Sequence, residues 1–148
     1  MTTSLPANSF DVLLVEDDPG DVLMTREAFA DDRIGGVLHV VNDGIEAMAF
    51  LRREVPFTDA PEADLVLLDL NLPRRGGIEV LAEIKADERL RRIPVVVLTT
   101  SDAVEDIDRS YQLHANAYVT KAVDFDRFVD DVRSIDDFFV TVVRLPGH

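Results

Sequence analysis

The chain has 148 residues, 47% of them hydrophobic, which suits one domain with a single core and leaves no room for a second. It has no cysteine, which excludes disulfides, thiolate catalysis and cysteine-based zinc sites, and its three histidines, His39, His114 and His148, show no metal-ligand spacing. A formal net charge of -14 argues against direct binding to DNA or to an anionic membrane and favours regulation through protein contacts.

Residues 1–9 carry no basic segment followed by an apolar run, and no apolar stretch reaches bilayer length, so a soluble cytoplasmic protein is expected. Phe10 to Val15 reads as a first strand ending in Glu16-Asp17-Asp18-Pro19. Asp18 suits an N-cap and Pro19 the first helical position, and Val22, Thr25 and Phe29 recur at helical spacing. Gly35-Gly36 breaks that helix before a short second strand, Val37 to Val41. Asp43 with Glu46 has capping-box spacing and opens a second helix carrying Ala47, Phe50 and Leu51, which fades before Pro56.

A loop over 56–63 leads to Asp64-Leu65-Val66-Leu67-Leu68-Asp69-Leu70-Asn71-Leu72-Pro73. Its apolar run leads unbroken into Asp69, and the part closing on Pro73, which lacks a ladder donor, cannot continue a central strand. Gly76-Gly77 marks a tight turn into a third helix with Ile78, Leu81 and Ile84 on one side, and this helix must end before Pro94. Ile93 to Leu98 is a fourth strand, ending in Thr99-Thr100-Ser101. Asp102 with Glu105 repeats the capping-box spacing and opens a fourth helix through about Leu113, and Ala117 to Val119 forms a short fifth strand ending near Lys121. Asp124 caps a last helix with an apolar stripe through Phe125, Phe128, Val129, Val132, Ile135, Phe139 and Val142.

Five strands in regular alternation with helices indicate an α/β domain, a parallel sheet with helices on both faces and right-handed crossovers. The carboxyl ends of such strands share one edge, where open sheets bind ligands. A lone Asp69 reads equally well as a loop cap, but it has company. The first, third, fourth and fifth strands deliver Glu16 and Asp17, Asp69, Thr99 and Lys121 to that edge. Three crowded carboxylates repel one another and need protons or a cation. Hard oxygen ligands suit Mg²⁺, which takes one or two carboxylates and keeps its other positions for water and phosphate. A lysine supplies a point charge for a phosphoryl oxygen, and a threonine hydroxyl can donate to one.

The motifs Leu14-Val15-Glu16-Asp17-Asp18, Leu68-Asp69-Leu70-Asn71-Leu72-Pro73, Val97-Leu98-Thr99-Thr100-Ser101 and Ala117-Tyr118-Val119-Thr120-Lys121 resemble, in order and spacing, those of the response-regulator receiver domain of two-component phosphorelay signalling. The likeness runs from about Phe10 to Asp137. It implies a flavodoxin-like fold, a doubly wound five-stranded parallel sheet in the order 2-1-3-4-5. It also implies Asp69 as the phosphoacceptor nucleophile that forms an aspartyl phosphate. Mg²⁺ would be held by Asp17, the Asp69 carboxylate and the Asn71 backbone carbonyl, with Glu16, where the family often has aspartate, reaching it through water. Lys121 would pair with one phosphoryl oxygen, Thr99 would donate its hydroxyl to another, and Tyr118 would follow Thr99 inward as the aromatic of the switch.

The resemblance thus implies a single-domain response regulator, catalysing only its own phosphorylation and dephosphorylation. It would take its phosphoryl group from a sensor histidine kinase and signal by protein contact through the face of the fourth helix, fifth strand and fifth helix. The alternative is a receiver-like docking domain acting without phosphorylation. A haloacid-dehalogenase type of hydrolase would want an acid where Asn71 stands, and a flavin module would set its phosphate against an acidic loop.

Three features depart from the family pattern. Ala122 follows Lys121 where receivers usually carry proline, so a trans bond and a displaced loop are expected, a cis bond before alanine costing about 3–4 kcal/mol. His114 stands where glycine is common and reads as a solvated helix end. Residues 138–148 extend the last helix beyond a receiver domain of 10–137, and the ending Val142-Val143-Arg144-Leu145-Pro146 resembles long-tailed receivers that partner phytochrome-type sensor kinases. That extension either packs on its own domain or buries its stripe against a second copy in a two-fold homodimer, and the β-branched run from Val140 to Val143 leaves a strand open.

Arg89, Arg91 and Arg92 form a small basic cluster before the fourth strand, read as a solvated helix end rather than a docking site. Only Lys85 and Lys121 of the 15 basic residues are lysine, and this acidic, lysine-poor composition suggests a halophilic cytoplasm whose salt screens the self-repulsion. Equal stability in dilute buffer and in molar salt would undermine that reading.

Overall fold

Two segments with no polar side chain, Val12-Leu13-Leu14-Val15 and Leu65-Val66-Leu67-Leu68, lie side by side at the centre of the molecule, and none of their residues is more than 1% exposed. Only a strand covered on both faces takes such an unbroken apolar run. The computed structural model describes residues 11–30, 37–70, 72, 76–99, 108, 112 and 117–120, with the backbone alone at 28–30, 98–99 and 117–120. Expectations for Phe10, Asn71, His114, Lys121, Ala122, the last helix and the extension fall outside these residues.

The order of elements is β1 (Asp11–Val15), α1 (Pro19–Ala30), β2 (Val37–Val41), α2 (Gly44–Arg52), β3 (Leu65–Leu68), α3 (Gly77–Ala86), β4 (Val95–Thr99) and β5 (Ala117–Thr120). All neighbouring strands pair in parallel, and the sheet runs β2-β1-β3-β4-β5, the doubly wound order expected from the motifs. Successive strand residues point to opposite faces. Leu13, Val15, Val66, Leu68, Val95 and Val97 share one core with Ala47, Phe50 and Leu51 of α2 and Val80, Leu81 and Ile84 of α3. Their alternates Val12, Leu14, Leu65, Leu67 and Val96 are equally buried on the other face. Each such burial contributes about 2 kcal/mol, so the central strands are anchored directly beneath their carboxyl ends. Among the described residues β2 has a strand on one side only, and Val37 at its start is 50% exposed.

The helix starts follow their capping residues. The Asp18 carboxylate accepts from the Asp21 amide at 3.0 Å, and Pro19 begins α1. At α2 the Asp43 side chain accepts from the Glu46 amide at 2.8 Å, while the Glu46 carboxylate reaches back to the Asn42 amide at 2.8 Å, one residue before the cap. α2 closes on Arg53, whose φ of 55° is left-handed. The Arg53 amide donates to Phe50 O at 3.1 Å and the Glu54 amide to Ala49 O at 2.8 Å, a Schellman closure with arginine where glycine is usual. β4 begins at Val95, two residues later than the apolar run suggested. Ile93 belongs to a turn, its amide donating to Leu90 O at 2.9 Å, and Pro94 joins the ladder only through its carbonyl, which accepts from the Val66 amide at 3.0 Å.

At the amino edge of the sheet, polar groups satisfy one another. Asp64 accepts from the Asp11 amide at 2.8 Å, and His39 Nε2 lies 2.9 Å from Asp11 Oδ1. Lys85 Nζ donates to Arg91 O at 3.3 Å and to Ile93 O at 3.1 Å, and burial pushes the pKa of its ammonium below the ordinary value. The Asp87 carboxylate accepts from the Arg89 amide at 2.8 Å and the Leu90 amide at 3.3 Å. The Arg89 bond most of all holds that carboxyl below the usual range, against partial desolvation and with help from Leu90 and the Arg52 guanidinium. Among the described residues no helix is long and apolar enough to cross a membrane.

Candidate functional site

At the opposite edge the ladder hands over polar side chains. β1 lies between β2 and β3, and its last bonds run past its own end: the Glu16 amide donates to Val41 O at 3.0 Å and the Asp69 amide to Val15 O at 3.1 Å. These two bonds fix the backbones from which the carboxylates of Glu16 and Asp69 project. Glu16 is 1% exposed and Asp69 5%. Asp17, next along the loop, is exposed, and one carboxylate oxygen from each of the three lies within 4.8 Å of the others. Glu16 also accepts from the Asp18 amide at 3.2 Å, tying its side chain to the start of α1.

Two buried unit charges at this separation repel by roughly 3–4 kcal/mol at an effective dielectric of about 20. Folding therefore brings together groups that electrostatics would separate. The donor set is all oxygen, anionic and open to solvent on the Asp17 side, which fits a small hard divalent cation such as Mg²⁺ and offers nothing to a soft metal.

α3 holds the third strand's end from below. Gly76 is extended, with φ -64° and ψ 153°, and places no side-chain cap on the helix. A Cβ on Gly77 would collide with the carbonyl oxygen of Asp69 and stand 2.6 Å from Leu70 Cα. The Gly77 amide donates to Leu70 O at 3.2 Å. Gly77 is thus required less by a turn than by the close approach of a helix to the backbone of Asp69, whereas a Cβ on Gly76 would meet only Glu79 at 3.7 Å. That need was not visible in the sequence, where only the pair itself, shortly after Asp69, gave a signal.

Of the residues singled out from the sequence, the structure gathers Glu16, Asp17 and Asp69. Thr99 closes β4 and stands in register with Thr120, the residue before Lys121, while Tyr118 stands in register with Val97. The backbone therefore brings the ends of β1, β3, β4 and β5 to one edge. Asn71 and Lys121 fall outside the described residues.

The sequence profile of the response regulator receiver domain matches residues 12–133. Response regulator Rcp1 of Synechocystis sp. is 44% identical over 136 residues, covering 92% of this chain and 92% of that protein. Among solved structures, the phosphorylated cyanobacterial phytochrome response regulator RcpA superposes with a TM-score of 0.84 at 45% identity, over 90% of this chain and 95% of its own. The Mn²⁺-bound form of Rcp1 gives 0.84 at 43% identity, over 93% and 99%.

Proposed function

The chain belongs to the response regulator receiver domain family, and from that premise we propose that Asp69 accepts a phosphoryl group from a sensor histidine kinase in a Mg²⁺-dependent reaction and that the protein acts as a single-domain response regulator. The observation that carries this reading is the gathering of Glu16, Asp17 and a buried Asp69 at one sheet edge. The phosphorylated state named for RcpA and the Mn²⁺ named for Rcp1 support the acceptor and the cation.

Asp17, the Asp69 carboxylate and the Asn71 carbonyl would hold Mg²⁺, with Glu16 supporting it through water. Mg²⁺, when bound, supplies the positive charge that lets a phosphoryl group approach three carboxylates. An Asp69 oxygen attacks phosphorus in line, the bond from phosphorus to the donor's imidazole nitrogen breaks, and its electron pair returns to that nitrogen. Lys121 pairs with one transferred oxygen and the Thr99 hydroxyl donates to another, a pairing supported by the Thr99 and Thr120 register. Movement of Thr99 toward the phosphoryl group draws Tyr118 inward and alters the face of the fourth helix, β5 and the fifth helix, which a downstream protein reads.

The receiver domain is assigned to 10–137, with a tail at 1–9 and an extension at 138–148, supported by the family match over 12–133. The phytochrome named for RcpA supports a phytochrome-type kinase as partner. A cytoplasmic setting of high salt, no direct DNA or membrane contact, no catalysis beyond its own modification, and a homodimer through the last helix and its extension complete the reading, the first two supported by the charge of -14.

Intact-mass analysis after incubation with acetyl phosphate and Mg²⁺ tests it. One phosphoryl group added to the wild type and none to Asp69→Asn is expected. Folded wild type that stays unmodified both with the donor and with a phytochrome-type kinase would leave a docking domain in its place.

A further inference from the structure

The arginines that looked like a solvated helix end have a partner from elsewhere in the chain. The turn after α3 presents Arg89, Arg91 and Arg92, and the left-handed residue that closes α2, Arg53, faces them across a cavity of about 550 Å³ at the amino edge of the sheet. Its apolar lining includes Leu51, Leu90 and Ile93, and Glu88 and Glu62 are its acidic members. Acidic residues outnumber basic ones 29 to 15 in this chain, so an arginine would be expected to find an acid. Yet among the described residues Arg89, Arg91 and Arg92 make no ion pair. Arg53 bonds Glu62 at 2.8 Å, but Glu62 is 81% exposed and such a pair holds its partner weakly. By contrast Arg52, one residue earlier, is committed to Glu83 at 2.8 Å and to Asp87 at 3.6 Å.

The turn that carries the arginines is set beforehand. Lys85 Nζ holds the carbonyls of Arg91 and Ile93, Asp87 holds the amides of Arg89 and Leu90, and the Arg91 amide donates to Asp87 O at 2.9 Å. With the turn already held, binding has to order the arginine side chains but not the backbone that carries them.

We propose that this cavity is a binding site for a compact oligophosphate, either free or carried by a nucleotide, held by Arg53, Arg89, Arg91 and Arg92. Guanidinium groups match phosphate oxygens in paired bonds, and an oligophosphate concentrates enough charge for several of them in a small volume. The cavity has the size of a small-molecule site. Charge selects this ligand over an acidic peptide. An extended peptide would lie along a surface of net charge -14, whereas a compact anion feels chiefly the charges within a Debye length, about 8 Å at 0.15 M salt and about 3 Å at 1 M, where the arginines of the lining outnumber Glu62 and Glu88. The site stands at the end of the sheet opposite Asp69 and is independent of the phosphoryl chemistry there.

The test is calorimetric titration of the full chain with sodium tripolyphosphate and with ATP, in EDTA to keep the carboxylate site without cation, in the lowest salt at which circular dichroism shows the chain folded. One ligand per chain is expected, weakened about tenfold or more in Arg89→Ser/Arg91→Ser and unchanged in Arg26→Ser on α1. These arginines are exposed, so the variants should keep the wild-type melting curve. Equal affinity for the two probes identifies a bare oligophosphate, and tighter ATP shows that the apolar lining receives the base. No binding of either, or binding that the double variant leaves intact, overturns the proposal.

Discussion

The two edges of one sheet treat charge in opposite ways. At the amino edge Asp11, Asp64, His39, Lys85 and Asp87 meet backbone amides, carbonyls or each other, and each contact lowers the free energy of the fold. At the carboxyl edge Glu16, Asp17 and Asp69 are pressed together by the ladder against their own repulsion. The hydrophobic strands between hold both ends, and the second gathers like charge that the first does not. A local violation held by well-packed surroundings is where function is expected in a folded domain.

Neutralising the frustrated edge should separate the two roles most sharply. Asp69→Asn is expected to abolish phosphoryl acceptance while raising unfolding free energy in divalent-free buffer by about 1–3 kcal/mol, the relieved part of the repulsion. Urea titrations with and without Mg²⁺ check this: added Mg²⁺ should stabilise the wild type and leave the variant nearly unmoved. Wild type and variant of equal stability in EDTA would break the comparison.

Next in size is Gly77→Val. Its side chain would drive α3 away from the Asp69 carbonyl, lowering stability by about 2–3 kcal/mol and slowing phosphorylation by acetyl phosphate in the fraction that remains folded. At the satisfied edge, Asp64→Ala leaves the Asp11 amide without its 2.8 Å acceptor and should cost about 1–2 kcal/mol in urea melts, with phosphorylation unchanged.

The smallest expected effect is a pH dependence. The folded-state pKa of Asp87 is depressed, so its contribution is present above the ordinary aspartate value and is lost as pH falls through the folded value. Below about pH 4, where unfolded aspartate titrates, the wild type should therefore lose slightly more stability than Asp87→Asn, as paired melts would show.

Much of this was readable in the residues. Unbroken apolar runs located β1 and β3, because only strands buried on both faces take them, and Asp18 and Asp43 marked helix starts through their own side-chain bonds. The alternation of strands and helices alone places Glu16, Asp17, Asp69 and Thr99 on one edge. What escaped depends on distant backbone. Pro94 removes Ile93 from β4 although the apolar pattern includes it, and Gly77 reads as a turn until the Asp69 carbonyl is seen above it. Arg53 gave no hint of joining Arg89 and Arg91, since the chain packing that brings α2's end to the turn after α3 leaves no local pattern.

The bond from Asp64 to Asp11 spans 53 residues, and the Asp69 amide reaches Val15 over a similar separation. Local segments form quickly, whereas such distant pairings wait on closure of the intervening loop. On the ribosome, β1 and its two acids leave the tunnel long before the acceptor aspartate does. On the proposed reading, a growing chain therefore offers no complete acceptor site until β3 has seated itself beside β1 and the later strands have followed.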